Sequence, residues 1–124
     1  MEKNKKKYKC FINMIENYSF GSICINGKTY KNDVLIFDNE IKEWWRERGH
    51  VVQIKDLEWI IGKKPEILII GTGSYGLLKV SKEIKDYLSY MKIETKIEKT
   101  KKACELYNEL KDKRKLAAAF HLTC

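Results

Sequence analysis

With 124 residues, 44% of them hydrophobic and 34% charged, the chain is long enough for one domain with a real core, and no run is apolar enough for a membrane span. The formal charge of +8 would suggest acidic partners, but residues 1–9 hold Lys3, Lys5, Lys6, Lys7 and Lys9 against Glu2, so half of the excess belongs to a solvated tail. Arg46, Arg48 and Arg114 are the arginines among many lysines, and no zinc-finger spacing or RNA-recognition signature accompanies them, which argues against specific nucleic-acid binding. The layout is therefore read as a flexible lysine-rich tail at 1–9 and a single α/β domain at 10–124.

In chain order, Phe20 to Ile25 reads as a first strand, and Asn26-Gly27 is a strong hairpin signal that returns Lys28 to Tyr30 beside it. Asn32-Asp33 makes another turn before the short buried strand Val34 to Phe37. From Asn39 to His50 the period is ambiguous. Ile41, Trp44, Trp45 and Arg48 fit one helix stripe, while an extended segment ending near Trp45 is the reading taken here. Asp56 is a helix cap for Leu57 to Ile61. Pro65 then introduces Ile67 to Ile70, a continuous β-branched run expected to be a central strand covered on both faces.

A glycine-rich turn follows that strand, and Ser81 caps an amphipathic helix to about Met91, with Ile84, Leu88 and Met91 on its buried stripe. Ile93 to Ile97 is a second strand, giving a βαβ-like unit. Thr100 is read as the cap of a last helix carrying Ala103, Tyr107 and Leu110 on one stripe with Cys104 beside it. Leu116 to Leu122 is apolar and strand-like, although its three alanines have weak strand propensity. Both helices are expected to cover one side of the sheet.

Three residue sets carry candidate chemistry. Gly71, Gly73 and Gly76 spell G-x-G-x-x-G at the carboxyl end of a strand, where open α/β sheets place ligands. In the dinucleotide fold those glycines open the helix directly, whereas here Leu77 to Val80 intervene before Ser81, so a structural turn or a pocket of another kind is the stronger reading. Cys10, Cys24, Cys104 and Cys124 form no C-x-x-C pair, and only His50 and His121 could supplement them, so no metal site is assigned. Reduced cysteines and the lack of a signal peptide point to the cytoplasm. Adjacent tryptophans in an extended segment point to opposite faces, so Trp44, Trp45 and Arg46 are either core or an interface anchor.

The chain resembles the Mth-like domain family, which includes an adipogenesis-associated protein and a mitochondrial respiratory complex I assembly factor. The matching pieces are Asp33-Val34, Trp44-Trp45-Arg46 with Gly49-His50, Asp56-Leu57, Pro65 through Gly73, Thr100, Ala103-Cys104, Tyr107-Asn108 and the run Ala117 to Cys124. The resemblance implies a compact three-layer α/β domain with a central mixed sheet and an N-terminal β layer, and partner-binding roles rather than a defined catalytic activity.

On these grounds the expected function is a noncatalytic protein-binding or assembly module, acting on an unidentified protein or by self-association, with Trp44, Trp45 and Arg46 as candidate interface. The alternative is a small-molecule or nucleotide-binding enzyme using the Gly71–Gly76 loop. Its candidate pocket comprises Gly71, Thr72, Gly73, Thr100, Cys104, Asn108 and His121. No catalytic, cofactor-binding or metal-ligating residue is assigned, and no cofactor is expected.

Overall fold

The computed structural model describes residues 13–124. The lysine-rich stretch at 1–9 and the proposed domain start at residue 10 lie outside the described residues. Among the described residues there are two sheets: β1 (Ile15–Ser19), β2 (Ser22–Ile25) and β3 (Lys28–Tyr30) form an antiparallel sheet in that order. A mixed sheet runs β5-β4-β8-β6-β7, from β4 (Val34–Phe37), β5 (Glu40–Glu43), β6 (Ile67–Thr72), β7 (Glu94–Glu98) and β8 (Leu116–His121). The helices are α1 (Glu58–Gly62), α2 (Lys82–Tyr90) and α3 (Thr100–Leu110), with a 3-10 turn at Ile54–Leu57 ahead of α1.

The first hairpin follows the local chemistry. Asn26 and Gly27 adopt φ of 52° and 80°, the left-handed pair that a two-residue turn between Ile25 and Lys28 requires. β1, by contrast, has no counterpart among the expected strands. A bulge between Ile15 and Asn17 breaks the period-2 alternation that would have revealed it, and the expected strand beginning at Phe20 is instead a turn followed by Ser22–Ile25. β5 ends at Glu43, short of the tryptophans.

β6 and β8 are buried at every position, and they run parallel in register from Ile67↔Leu116 to Thr72↔His121. β8 lies at the middle of the sheet because β4 pairs antiparallel on its other side, Val34 opposite Phe120. Two-sided pairing outweighs the weak strand preference of Ala117, Ala118 and Ala119, all fully buried. Their small side chains bring the covering layers close.

Those covering layers correct one expectation: the two long helices lie on opposite faces. α2 leads from β6 to its neighbour β7, whereas α3 leads from β7 back across β6 to β8. Right-handed crossovers travelling in opposite directions put their helices on opposite sides of a sheet. Accordingly Ile84 and Leu88 of α2 pack with Leu57, Ile60, Trp44, Leu68, Ile70 and Ala119. Ala103, Cys104 and Tyr107 of α3 pack with Ile69, Ala118, Phe120 and the β1–β2 residues Ile15, Ile23 and Ile25. The N-terminal sheet and α3 therefore share one outer layer, which gives the three layers.

Local signals at the helix ends are only partly followed. Ser81 caps α2 by accepting from the Ile84 amide at 3.3 Å, while Met91, expected on the buried stripe, is exposed just past the helix. Asp56 is not the cap of α1. Its carboxylate closes back on the Gln53 amide at 2.7 Å from within the 3-10 turn. No helix among the described residues is long and apolar enough to cross a membrane.

Gly71 is where the start of α3 comes closest to the β6 backbone. A Cβ there would stand 2.8 Å from Phe120 Cδ1 and 2.9 Å from Thr100 Oγ1, with the α3 backbone at 3.1 Å. Gly71→Ala is expected to cost about 1–3 kcal/mol by overpacking. Gly62→Ala, with nothing within 4 Å of the added methyl, should leave stability unchanged or raise it by up to about 1 kcal/mol. Urea unfolding midpoints of the two variants check the contrast.

Candidate functional site

Loops at the carboxyl ends of β6 and β8 meet the segment that follows β5. The glycine loop is the first of them, and six of its amides are already engaged. Gly73 N donates to Thr100 Oγ1 at 2.7 Å, Ser74 N to Thr123 O at 2.6 Å, and Gly76 N to Gly73 O at 3.3 Å. Leu77 N donates to Cys124 O at 2.9 Å, Leu78 N to Thr72 O at 3.2 Å and Lys79 N to His50 O at 2.8 Å. A phosphate cradle works by turning unpartnered amides toward the ligand. Here those amides hold the chain's last residues and the segment around His50. Gly73 has φ +100°, and a Cβ on it would lie 2.3 Å from the Cys124 carbonyl carbon, so the glycine serves that close approach.

The residues grouped as a pocket from sequence are divided by the sheet. Side chains alternate along β6 and β8, so Thr72 and His121 belong to the face covered by α2, and Thr100, Cys104 and Asn108 of α3 lie on the other. Backbone contacts at the strand ends join the two sets. The Thr100 hydroxyl accepts from Gly73 N and donates to His121 O at 2.6 Å, so it ties α3 to two strands instead of capping the helix, whose N-cap is Lys99. Thr72 Oγ1 donates to Glu98 O at 3.1 Å.

Asn108 reaches β1, not the glycine loop. Its amide donates to Ile15 O at 2.7 Å and its oxygen accepts from Ile15 N at 2.9 Å, replacing a missing strand partner beside the bulge. Burial, with a smaller push from the Glu105 charge, raises the Cys104 thiol to about 12, so at neutral pH it is a protonated packing residue.

The tryptophan pair separates as an extended segment would dictate. Trp44 is 3% exposed, its indole donating to Asp56 O at 2.9 Å, whereas Trp45 is 72% exposed. Arg46 turns inward. Its guanidinium lies 4.4 Å from the centre of the Trp44 ring, donates from Nε and Nη2 to Gly49 O at 3.0 and 2.7 Å, and reaches Asp33 Oδ2 at 2.8 Å. The turn carrying Trp45 is thereby pinned to the sheet.

Asp33 gathers these contacts. One residue before the Val34↔Phe120 pair, it stands opposite His121 and meets His121 Nδ1 at 2.6 Å while its other oxygen accepts from Leu122 N at 2.7 Å. Thr72, His121 and Asp33 thus form a polar row across β6, β8 and β4 above an apolar face. His50 stands edge-on to His121 with ring centres 5.5 Å apart. The sequence reading missed Asp33 as a site residue and the inward turn of Arg46. The signal present was an aspartate directly preceding a buried strand, but its partner His121 is 88 positions away and only strand register unites them.

Burial alone would raise the Asp33 carboxyl; the bonds from His121, the Leu122 amide and Arg46, with the His121 charge, outweigh it and hold the group below its ordinary value. A depressed folded-state value means that this contribution is fully present above the unfolded-state pKa and is lost as pH falls through the folded one. Asp33→Asn should therefore lower stability at pH 7 by about 3 kcal/mol, the scale for breaking a buried ion pair. The gap to the unsubstituted protein should narrow as pH drops below the usual carboxylate range, near 3.8. Urea unfolding between pH 3 and pH 7 checks both parts.

Comparison with known proteins agrees with this architecture. The family described as protein of unknown function (DUF498/DUF598) matches residues 15–121. Among solved structures, the chain is similar to the conserved hypothetical protein PH1505 from Pyrococcus horikoshii OT3, with 30% identity, 89% of this chain and 98% of that one covered, and a TM-score of 0.82. It is similar to MT938 at 28% identity, covering 90% and 99%, with a TM-score of 0.74. A Bordetella pertussis protein described as a Mth938-like domain shares the fold at 18% identity, covering 90% and 87%, with a TM-score of 0.73. With the family pattern running from β1 to the end of β8 and the fold shared along nearly its whole length, this chain belongs to the DUF498/DUF598 family and has the Mth938-like fold.

Proposed function

We propose that the chain is a noncatalytic protein-binding or assembly module that presents Trp45 as its anchor. The observation that carries this reading is the contrast within one dipeptide. Trp44 is locked in the core, Arg46 is bonded to Gly49 and Asp33, and Trp45 between them stands 72% exposed on a backbone with little freedom. A large aromatic side chain held ready in this way loses little conformational entropy when a partner covers it. Phe20, Tyr75 and Leu77 are also exposed at the carboxyl end of the sheet, and Phe20 and Tyr75 touch, with ring centres 6.2 Å apart.

Strand-edge pairing is a poorer mode of association for this protein. The outer strands of the mixed sheet carry Glu40, Lys42 and Glu43 on β5 and Glu94, Lys96 and Glu98 on β7, the kind of charge that discourages edge-to-edge addition. A second copy meeting the Trp45 surface through a twofold contact is the simplest partner. A different protein recognising the same tryptophan is the other form of the same reading.

Trp45→Ala is expected to keep stability within about 0.5 kcal/mol, because the side chain is a surface group. The same variant should abolish self-association in a light-scattering concentration series, or capture of a partner from native lysate. Trp44→Ala should instead lose about 3–5 kcal/mol as a core truncation. A folded Trp45→Ala protein with unchanged mass and unchanged partner recovery overturns the proposal.

A further inference from the structure

The extended segment that carries Trp45 has a fixed alternation. Val34 pairs with Glu43 and Ile36 with Ile41, and Val34 and Ile36 belong to the core on the α3 side of the sheet. Ile41 and Glu43 therefore face that side too, while Lys42 between them lies over the Trp59 ring on the α2 side. The pairing runs one step past β5, with Trp44 N donating to Asp33 O at 2.7 Å, and Trp44 packs on the α2 side in its turn. Trp45 thus extends the row of Ile41 and Glu43 on the α3 side.

An open cavity of about 230 Å³ lies along that row, with Tyr30, Val34 and Ile41 as its apolar walls and Lys31 and Glu43 among its polar ones. A cavity of about 150 Å³ takes a benzene ring, so this one has room for the larger ring system of an indole. The chain's own neighbouring indole does not occupy it, since Trp45 is 72% exposed. Lys31 and Glu43 are exposed, and among the described residues neither is held in an ion pair. Knob and hole on one side of one chain make a self-complementary patch, which is what a twofold contact requires.

We propose that a second copy of this chain docks on this side, Trp45 of each copy entering the cavity walled by Tyr30, Val34 and Ile41 of the other. The inference rests on Trp45 being the anchor, as proposed above, and adds what receives it. Charge favours a second copy over a strongly acidic or basic partner. Lys31 and Glu43 cancel at the cavity, and two copies meeting about a twofold axis set Lys31 of each against Glu43 of the other, whereas a partner of one sign would meet a like charge. Insertion takes both indoles out of water, and a ring held on a pinned backbone enters at little entropic cost.

Sedimentation velocity of the full chain over a concentration series tests this with variants that remove the knob or fill the hole. The parent is expected to show a reversible monomer–dimer equilibrium, and Trp45→Ala and Ile41→Trp should each be monomeric alone. An equimolar mixture of the two should dimerise again, more weakly than the parent, because the intact Trp45 of one variant enters the intact cavity of the other. If Ile41→Trp fails to fold by circular dichroism, the exposed pair Lys31→Glu and Glu43→Lys takes its place. Each of these alone sets like charges together and should dimerise about tenfold more weakly, while their mixture, with both pairs unlike again, should regain the parent's affinity. A parent that is monomeric throughout overturns this inference and leaves Trp45 to be judged by partner capture. A dimer lost in Trp45→Ala but kept in folded Ile41→Trp, or mixtures no better than their components, overturns the cavity while sparing the anchor. An undiminished Trp45→Ala dimer overturns this inference and self-association through Trp45 together.

Discussion

The structure depends on one constraint, the burial of β8 between β4 and β6. A strand paired on both sides satisfies its own backbone, and with Ala117 to Ala119 it adds little thickness to the sheet. Layers above and below can then close on it. Because β8 is antiparallel to β4 and parallel to β6, it joins the β4–β5 hairpin to the βαβ half of the chain. Without it those halves would have no shared sheet.

The same strand creates the polar cluster. Its last residue, His121, falls on the face covered by α2, level with Thr72 on one neighbour and Asp33 on the other. An ionised carboxylate in such a place needs compensation, and Asp33 receives it from an imidazole, a guanidinium and the Leu122 amide. Arg46 is drawn inward by this demand. There its guanidinium stacks over the Trp44 ring, so the electrostatic demand at the strand end also covers the tryptophan that the extended backbone turns inward, while Trp45 points the other way.

The glycine loop illustrates how a sequence pattern can be met for another reason. Three glycines after a parallel strand have the spelling of a nucleotide site, yet the loop's donors reach Thr100, Thr123, Cys124 and His50. Gly71 makes room for α3, and Gly73 makes room for the chain's end. Tyr18 adds to the same junction by donating to Leu122 O at 2.8 Å and sharing a 2.6 Å bond with Ser74 Oγ. Close packing of backbone on backbone needs glycine as much as a phosphate does.

Local chemistry in the sequence by itself determined the Asn26-Gly27 hairpin, the fully buried Ile67 to Ile70 strand, the Ser81 cap and the opposite exposure of adjacent tryptophans. Each of these follows from neighbouring residues: a turn that demands positive φ, a β-branched run, a hydroxyl at a helix start, a side-chain period of two. Resemblance of scattered motifs pointed to the three-layer family fold. Tertiary structure alone decided that α2 and α3 lie on opposite faces, since this follows from the order of strands and the hand of their crossovers. It also decided that Asn108 clamps β1 and that Asp33 meets His121, partners separated by 93 and 88 positions. No local period encodes such pairings, because they exist only once β8 has been inserted and the register of its neighbours is set.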